Sequence, residues 1–116
     1  MFAARSNNLE SVPFHSAEEA WFWTMAALMA RRDGAGASWR PEGPPRPCDP
    51  DDVVKCLDAL YRQRRIELVH ARILRIWGER QCAPRVDRPL QRSDVRIWHQ
   101  AMSELEWVLR TRNIVG

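Results

Sequence analysis

Lysine is nearly missing from this chain: Lys55 stands alone against seventeen arginines. A GC-rich coding bias accounts for that choice of cation, though not for where the arginines fall. Cysteine is scarce too. Cys48, Cys56 and Cys82 are odd in number and irregularly spaced, which argues against a disulfide scaffold and for a reducing cytosol. They form no close ligand pair with one another, and none occurs among His15, His70 and His99, so we expect no metal. The longest apolar run, Ala20 to Ala30, is broken by Thr24 and preceded by Glu18 and Glu19. It is far short of the roughly 20 residues that span a bilayer. Met1 to Glu10 has no apolar stretch of the kind a signal peptide needs.

Catalytic signatures are lacking as well. There is no phosphate-binding loop, nucleophile elbow or dinucleotide fingerprint. Asp52 and Cys56 are four apart, but a carboxylate raises a thiol pKa rather than activating the sulfur. Glu67 and His70 have the spacing of half a di-iron site, with no second copy. We expect no enzyme activity, no catalytic residue and no cofactor.

What remains is a chain of 116 residues, 45% hydrophobic and 28% charged, enough for one domain with its own core. No segment alternates like a strand, and no repeat is visible. Helical signals dominate. The sequence predicts an all-α, single-domain bundle of four helices near 16–32, 50–64, 66–77 and 93–112. A mobile arm over 1–13 precedes the domain of 14–116, and a Gly/Pro-rich loop spans 33–48.

Ser16-Ala17-Glu18-Glu19 reads as a capping box, and Gly34 as the stop of the first helix. Asp49, Pro50, Asp51 and Asp52 give the second helix its cap, first residue and acidic first turn. Gly78 reads as the stop of the third, with Ile66, Val69, Ile73, Ile76 and Trp77 on one face. Helices two and three could also be one bent helix. Trp98, Met102, Leu105 and Leu109 recur as an amphipathic stripe in the fourth. The expected core is Trp21, Leu28, Val53, Leu57, Leu60, Val69, Ile73, Ile76, Trp98, Met102, Leu105 and Leu109. Trp39 could pin the long loop to it.

Charge is unevenly divided. Between residues 62 and 96 lie ten arginines against four acids, whereas residues 1–61 carry more acids than bases. Arg62, Arg64, Arg65, Arg72, Arg75, Arg80, Arg85, Arg88, Arg92 and Arg96 are therefore the candidate nucleic-acid contacts, since clustered guanidiniums suit phosphates. The plainer alternative is a solvated face with ion pairs to Glu67 and Glu79. Trp23, Leu90 and Trp107 do not all fit one core and are candidate contacts for a protein partner or a second copy. Their plainer role is to anchor the arm, the loop or the tail Ile114-Val115. The expected function is non-catalytic regulation through contact with DNA or a transcription complex. The alternative is an adaptor or self-assembling module without nucleic acid. No membrane and no small-molecule substrate is expected.

Two resemblances bear on this reading. An apolar helix, Ile66–Trp77, followed by a basic one, Arg92–Arg112, is loosely similar in order to the C-terminal helical domain of sigma-type factors. The intervening loop of roughly fifteen residues exceeds the 3–4 of a helix-turn-helix. More widely, Ala17–Trp23, Arg46–Val53, Leu57–Arg62, Trp77–Arg80 and Leu105–Leu109 together resemble a group of small bacterial proteins of about this length. That resemblance implies a bacterial, cytosolic, all-helical protein and brings no activity or functional residue with it.

Overall fold

Ser16 caps the first helix, its hydroxyl accepting from the Glu19 N–H at 3.2 Å, but the expected capping box does not close: the Glu19 carboxylate accepts from the His15 N–H at 2.7 Å rather than from Ser16. In the computed structural model, which describes residues 10–34, 41 and 43–116, four helices follow: α1 (Ala17–Arg32), α2 (Pro50–Arg62), α3 (Leu68–Arg80) and α4 (Arg92–Thr111). A 3-10 turn, Pro89–Gln91, leads into α4. The protein is an all-α bundle. Residues 1–9 of the expected arm and Trp39 lie outside the described residues.

Helices α2 and α3 are separate. The break comes from Arg64, which takes a left-handed conformation (φ 61°). Its N–H donates to the Tyr61 carbonyl and that of Arg65 to the Leu60 carbonyl, the paired bonds of a Schellman end. Gln81 and Asn113 close α3 and α4 in the same way, with φ of 57° and 60°.

Helix α3 is offset from its predicted span of 66–77. Glu67 is its cap: its carboxylate accepts from the His70 N–H, and His70 Nδ1 accepts from the Glu67 N–H at 3.0 Å. An Nδ1 that accepts bears no proton, so the ring proton is on Nε2, which donates to Gln100 Oε1 at 2.9 Å. Gly78 does not stop the helix. It lies inside α3, where a Cβ would meet Met25 Cγ at 2.6 Å and Trp21 Nε1 at 2.9 Å. The glycine lets α1 and α3 approach closely.

The inward stripe of α3 is His70, Ile73, Leu74 and Trp77, the spacing of one helical face. Val69 falls off that stripe and is 41% exposed, so its expected core role is incorrect; Leu74 is buried instead. Leu28, Leu57 and Ile76 are only partly buried, against the core. The other eight expected core residues are buried.

Helices α1 and α4 are the hub, since each packs on all three other helices. Trp98 Nε1 of α4 donates to Glu18 Oε2 of α1 at 2.9 Å, and the Ala17 N–H donates to Glu106 Oε1 at 2.8 Å. Helices α2 and α3 flank the hub and barely touch each other. The buried tryptophans Trp21 and Trp77 also find acceptors, the Leu74 carbonyl at 2.9 Å and Asp94 Oδ2 at 3.0 Å, as large rings with one polar atom require when buried.

Candidate nucleic-acid interface

Helices α3 and α4 run antiparallel. The contacts that fix this are Arg65 with Glu104 at one end, His70 with Gln100 in the middle, and Trp77 with Asp94 at the other end. This pair carries the ten candidate arginines, with α2's last residue and the flanking loops. Arg62, Arg64 and Arg65 lie at the turn that precedes α3. Arg72 and Arg75 are exposed along α3, and Arg96 is exposed on α4. Arg80, Arg85, Arg88 and Arg92 gather where α3 gives way to α4.

Three of the ten are neutralised locally. Arg62 pairs with Asp58 at 3.0 Å, one turn back on α2. Arg65 meets Glu104 at 2.9 Å and lies over the Trp107 ring, 5.7 Å from its centroid. Arg85 grips Asp87 with two bonds, of 3.0 and 2.7 Å, which raises the Arg85 pKa and lowers that of Asp87. Two more have softer partners. Arg80 stacks 4.7 Å from the Trp77 ring centroid, and Arg92 Nε donates to the Val86 carbonyl at 3.4 Å. Arg64, Arg72, Arg75, Arg88 and Arg96 make no ion pair among the described residues. The expected pairing of this surface with Glu67 and Glu79 does not form: Glu67 caps α3 and Glu79 meets Arg32 at 3.3 Å. The arginines are thus strung along one helix pair and both its ends, and most keep their charge open to solvent.

The apolar candidates separate. Trp107 is 58% exposed and Leu90 97% exposed, the first because it sits half a turn from the buried stripe of α4. Trp23 instead packs against the core, its ring 5.1 Å from Phe14. Its Nε1 is buried with no hydrogen-bond partner. It is half-buried and holds the N-terminal segment, the plainer role expected for it.

One large feature escaped the sequence reading. Phe14 forms an isolated parallel bridge with Val115, and its N–H donates to the Ile114 carbonyl at 2.9 Å. Arg46 clamps the same segment. Its guanidinium lies 4.3 Å from the Phe14 ring centroid and bonds the Val12 and Pro13 carbonyls and the Glu19 carboxylate. The only hint was the apolar Ile114-Val115 so near the end of a polar stretch.

All three cysteines are free thiols. Burial, with Asp52 and Asp49 beside it, pushes Cys48 from 9.0 up to about 12. Burial also raises Cys56. Cys82 is exposed. Among the described residues no three His, Cys, Asp or Glu side chains are placed to hold a metal ion. No described helix is long and apolar enough to cross a membrane. Comparison with family models, curated proteins and solved structures gives no match.

Proposed function

We propose that this protein is a non-catalytic regulatory protein of the bacterial cytoplasm that contacts DNA, or a nucleic-acid complex such as a transcription assembly, through the arginines of α3 and α4. The observation that carries this reading is the row of arginines without carboxylate partners: Arg64, Arg72, Arg75, Arg88 and Arg96. Guanidiniums spaced along a rigid helix pair can each meet a phosphate, and the displaced counterions drive the association. The free thiols suit a reducing compartment.

Duplex binding followed against salt tests the reading. The affinity should fall steeply, with a slope of about −0.9 per phosphate contacted. Arg72→Glu, Arg75→Glu and Arg96→Glu together should abolish it. Absence of a complex at low salt, or a salt-insensitive one, refutes the proposal.

A second reading rests on Trp107 and Leu90, both exposed. Aromatics beside arginines mark the centres of protein interfaces, and Trp107 lies under Arg65. An adaptor using them would lose its partner in Trp107→Ala while binding no nucleic acid.

A further inference from the structure

Helices α2 and α3 follow one another in the chain yet hardly meet. Two clefts of about 320 and 360 Å³ occupy the gap between them. Both are lined by Leu57 of α2 and Ala71 of α3, so they join into one trough. Leu28 and Met29 of α1 line one end, Tyr61 and Leu68 the other. The lining is almost wholly apolar, yet Leu68 is 62% exposed and Tyr61 47% exposed. Greasy side chains left facing water in a row, on a domain with a good core elsewhere, mark a contact surface.

The rim says what kind of partner fits. Its carboxylates are already engaged: Asp58 by Arg62 at 3.0 Å, Glu79 by Arg32 at 3.3 Å, and Glu67 by the α3 cap. Its unengaged charges are cations. Arg75 borders the cleft at the α1 end, and Arg64 borders the adjoining hollow beside Tyr61 and Leu68. Neither has an ion-pair partner among the described residues. A positive charge therefore waits at each end of an apolar trough.

The walls are helices of 13 residues each, about 20 Å long. A trough of that length between two splayed helices takes a third helix of three to four turns. Met29 adds an adaptable side chain to the lining.

We infer that this trough docks an amphipathic helix of a protein partner, its apolar ridge on Leu57, Leu68 and Ala71 and its flanking carboxylates on Arg64 and Arg75. Such a partner would complete the bundle at the seam between α2 and α3. The surface is distinct from Trp107 and Leu90. It shares Arg64 and Arg75 with the proposed phosphate surface, so a bound acidic helix and nucleic acid would compete for those two side chains.

Two synthetic helices of about four turns test this, one patterned Leu/Glu and the other Leu/Lys, each titrated into the isotope-labelled full chain and read by amide chemical shifts. The Leu/Glu peptide should shift the amides of Leu57, Leu68 and Ala71 and saturate. Leu68→Glu should abolish that binding. The variant should fold normally, because residue 68 is exposed and an acid in the first turn suits the helix dipole. Joint Arg64→Glu and Arg75→Glu replacement should weaken it about tenfold, as loss of complementary charge at an interface does. Equal binding of both peptides, no binding of either, or shifts confined to other surfaces would overturn the inference. So would a monomer–dimer equilibrium in sedimentation that Leu68→Glu abolishes, since the occupant would then be a second copy. Leu68→Ala, which adds no charge beside Arg64 and Arg72, should weaken peptide binding and leave duplex binding unchanged, so this inference and the proposed nucleic-acid role fail separately.

Discussion

Phe14 and Val115 lie side by side in a parallel bridge, joining the segment before the first helix to the segment after the last. Both are buried, as is Ile114. The Gly116 N–H returns a bond to the Phe14 carbonyl at 3.0 Å, and Arg110 reaches the Gly116 carbonyl at 2.6 Å. Arg46 covers the outer side of Phe14, its side chain only 11% exposed. One cation therefore satisfies two carbonyls, one carboxylate and one ring face.

Replacing Arg46 should consequently be costly for an arginine. Arg46→Ala leaves the Val12 and Pro13 carbonyls without their donor and bares Phe14. We expect a loss of about 2 kcal/mol from the hydrogen bonds and the ring contact together, read by denaturant unfolding. Arg72→Ala, on the open face of α3, should change stability by less than about 0.5 kcal/mol. Equal effects of the two would contradict the clamp.

The tryptophans should differ among themselves. Trp98→Phe removes the donor that satisfies Glu18 Oε2, leaving that carboxylate without its 2.9 Å bond. Trp23→Phe removes an Nε1 that has no partner to lose. Both shrink the ring, and Trp98, fully buried where Trp23 is half-buried, also leaves the larger cavity. Trp98→Phe should cost about 1–3 kcal/mol more than Trp23→Phe, measured as the difference in unfolding free energy.

Gly78→Ala should destabilise the bundle, although alanine favours a helix by about 1 kcal/mol over glycine. The added methyl would press on Met25 Cγ and the Trp21 indole. Overpacking of this kind costs about 1–3 kcal/mol, so the net change is a loss. A rise in melting temperature would show that α1 yields easily.

Thiol labelling at neutral pH should modify Cys82 first, because it is exposed, with Cys48 and Cys56 lagging. The pH dependence follows from the raised pKa values. The folded state keeps Cys48 protonated from 9.0 to about 12, while the unfolded chain releases that proton above its ordinary value. Stability from this group is complete below pH 9.0 and is lost as pH rises toward 12. Cys56 acts in the same direction. Unfolding under reducing conditions should therefore show a shallower alkaline decline in a Cys48→Ala, Cys56→Ala variant than in the parent.

What the sequence disclosed about the fold was local. Ser16 and the Asp49-Pro50 pair marked helix starts because capping is decided within a few residues. Trp98, Met102, Leu105 and Leu109 marked a core face because helical spacing is decided within one helix. Gly78 misled for the opposite reason: its role is a close approach to α1, which no window around residue 78 contains. Val69 and Leu74 exchanged places because both flank Ile73 and Trp77 on the helix surface, and packing on α1 and α4 decides which of them turns inward. Trp23 and Trp107 both looked surplus to a single stripe, and only the neighbour, Phe14, separates them. The charge of residues 62–96 was plain in the composition. Which guanidiniums stay free depended on tertiary neighbours such as Glu104. The trough between α2 and α3 was invisible, since it is a gap and gaps have no sequence.

The hub of α1 and α4 has a bearing on how the protein matures. Its hydrogen bonds link Ala17 with Glu106 and Glu18 with Trp98, so α1 is completed only when α4, far along the chain, reaches it. Until α4 leaves the ribosome, α1, α2 and α3 present their apolar faces to the cell with no lid. A nascent chain that has emerged only as far as α3 therefore cannot close its core and exposes apolar surface while it waits for α4.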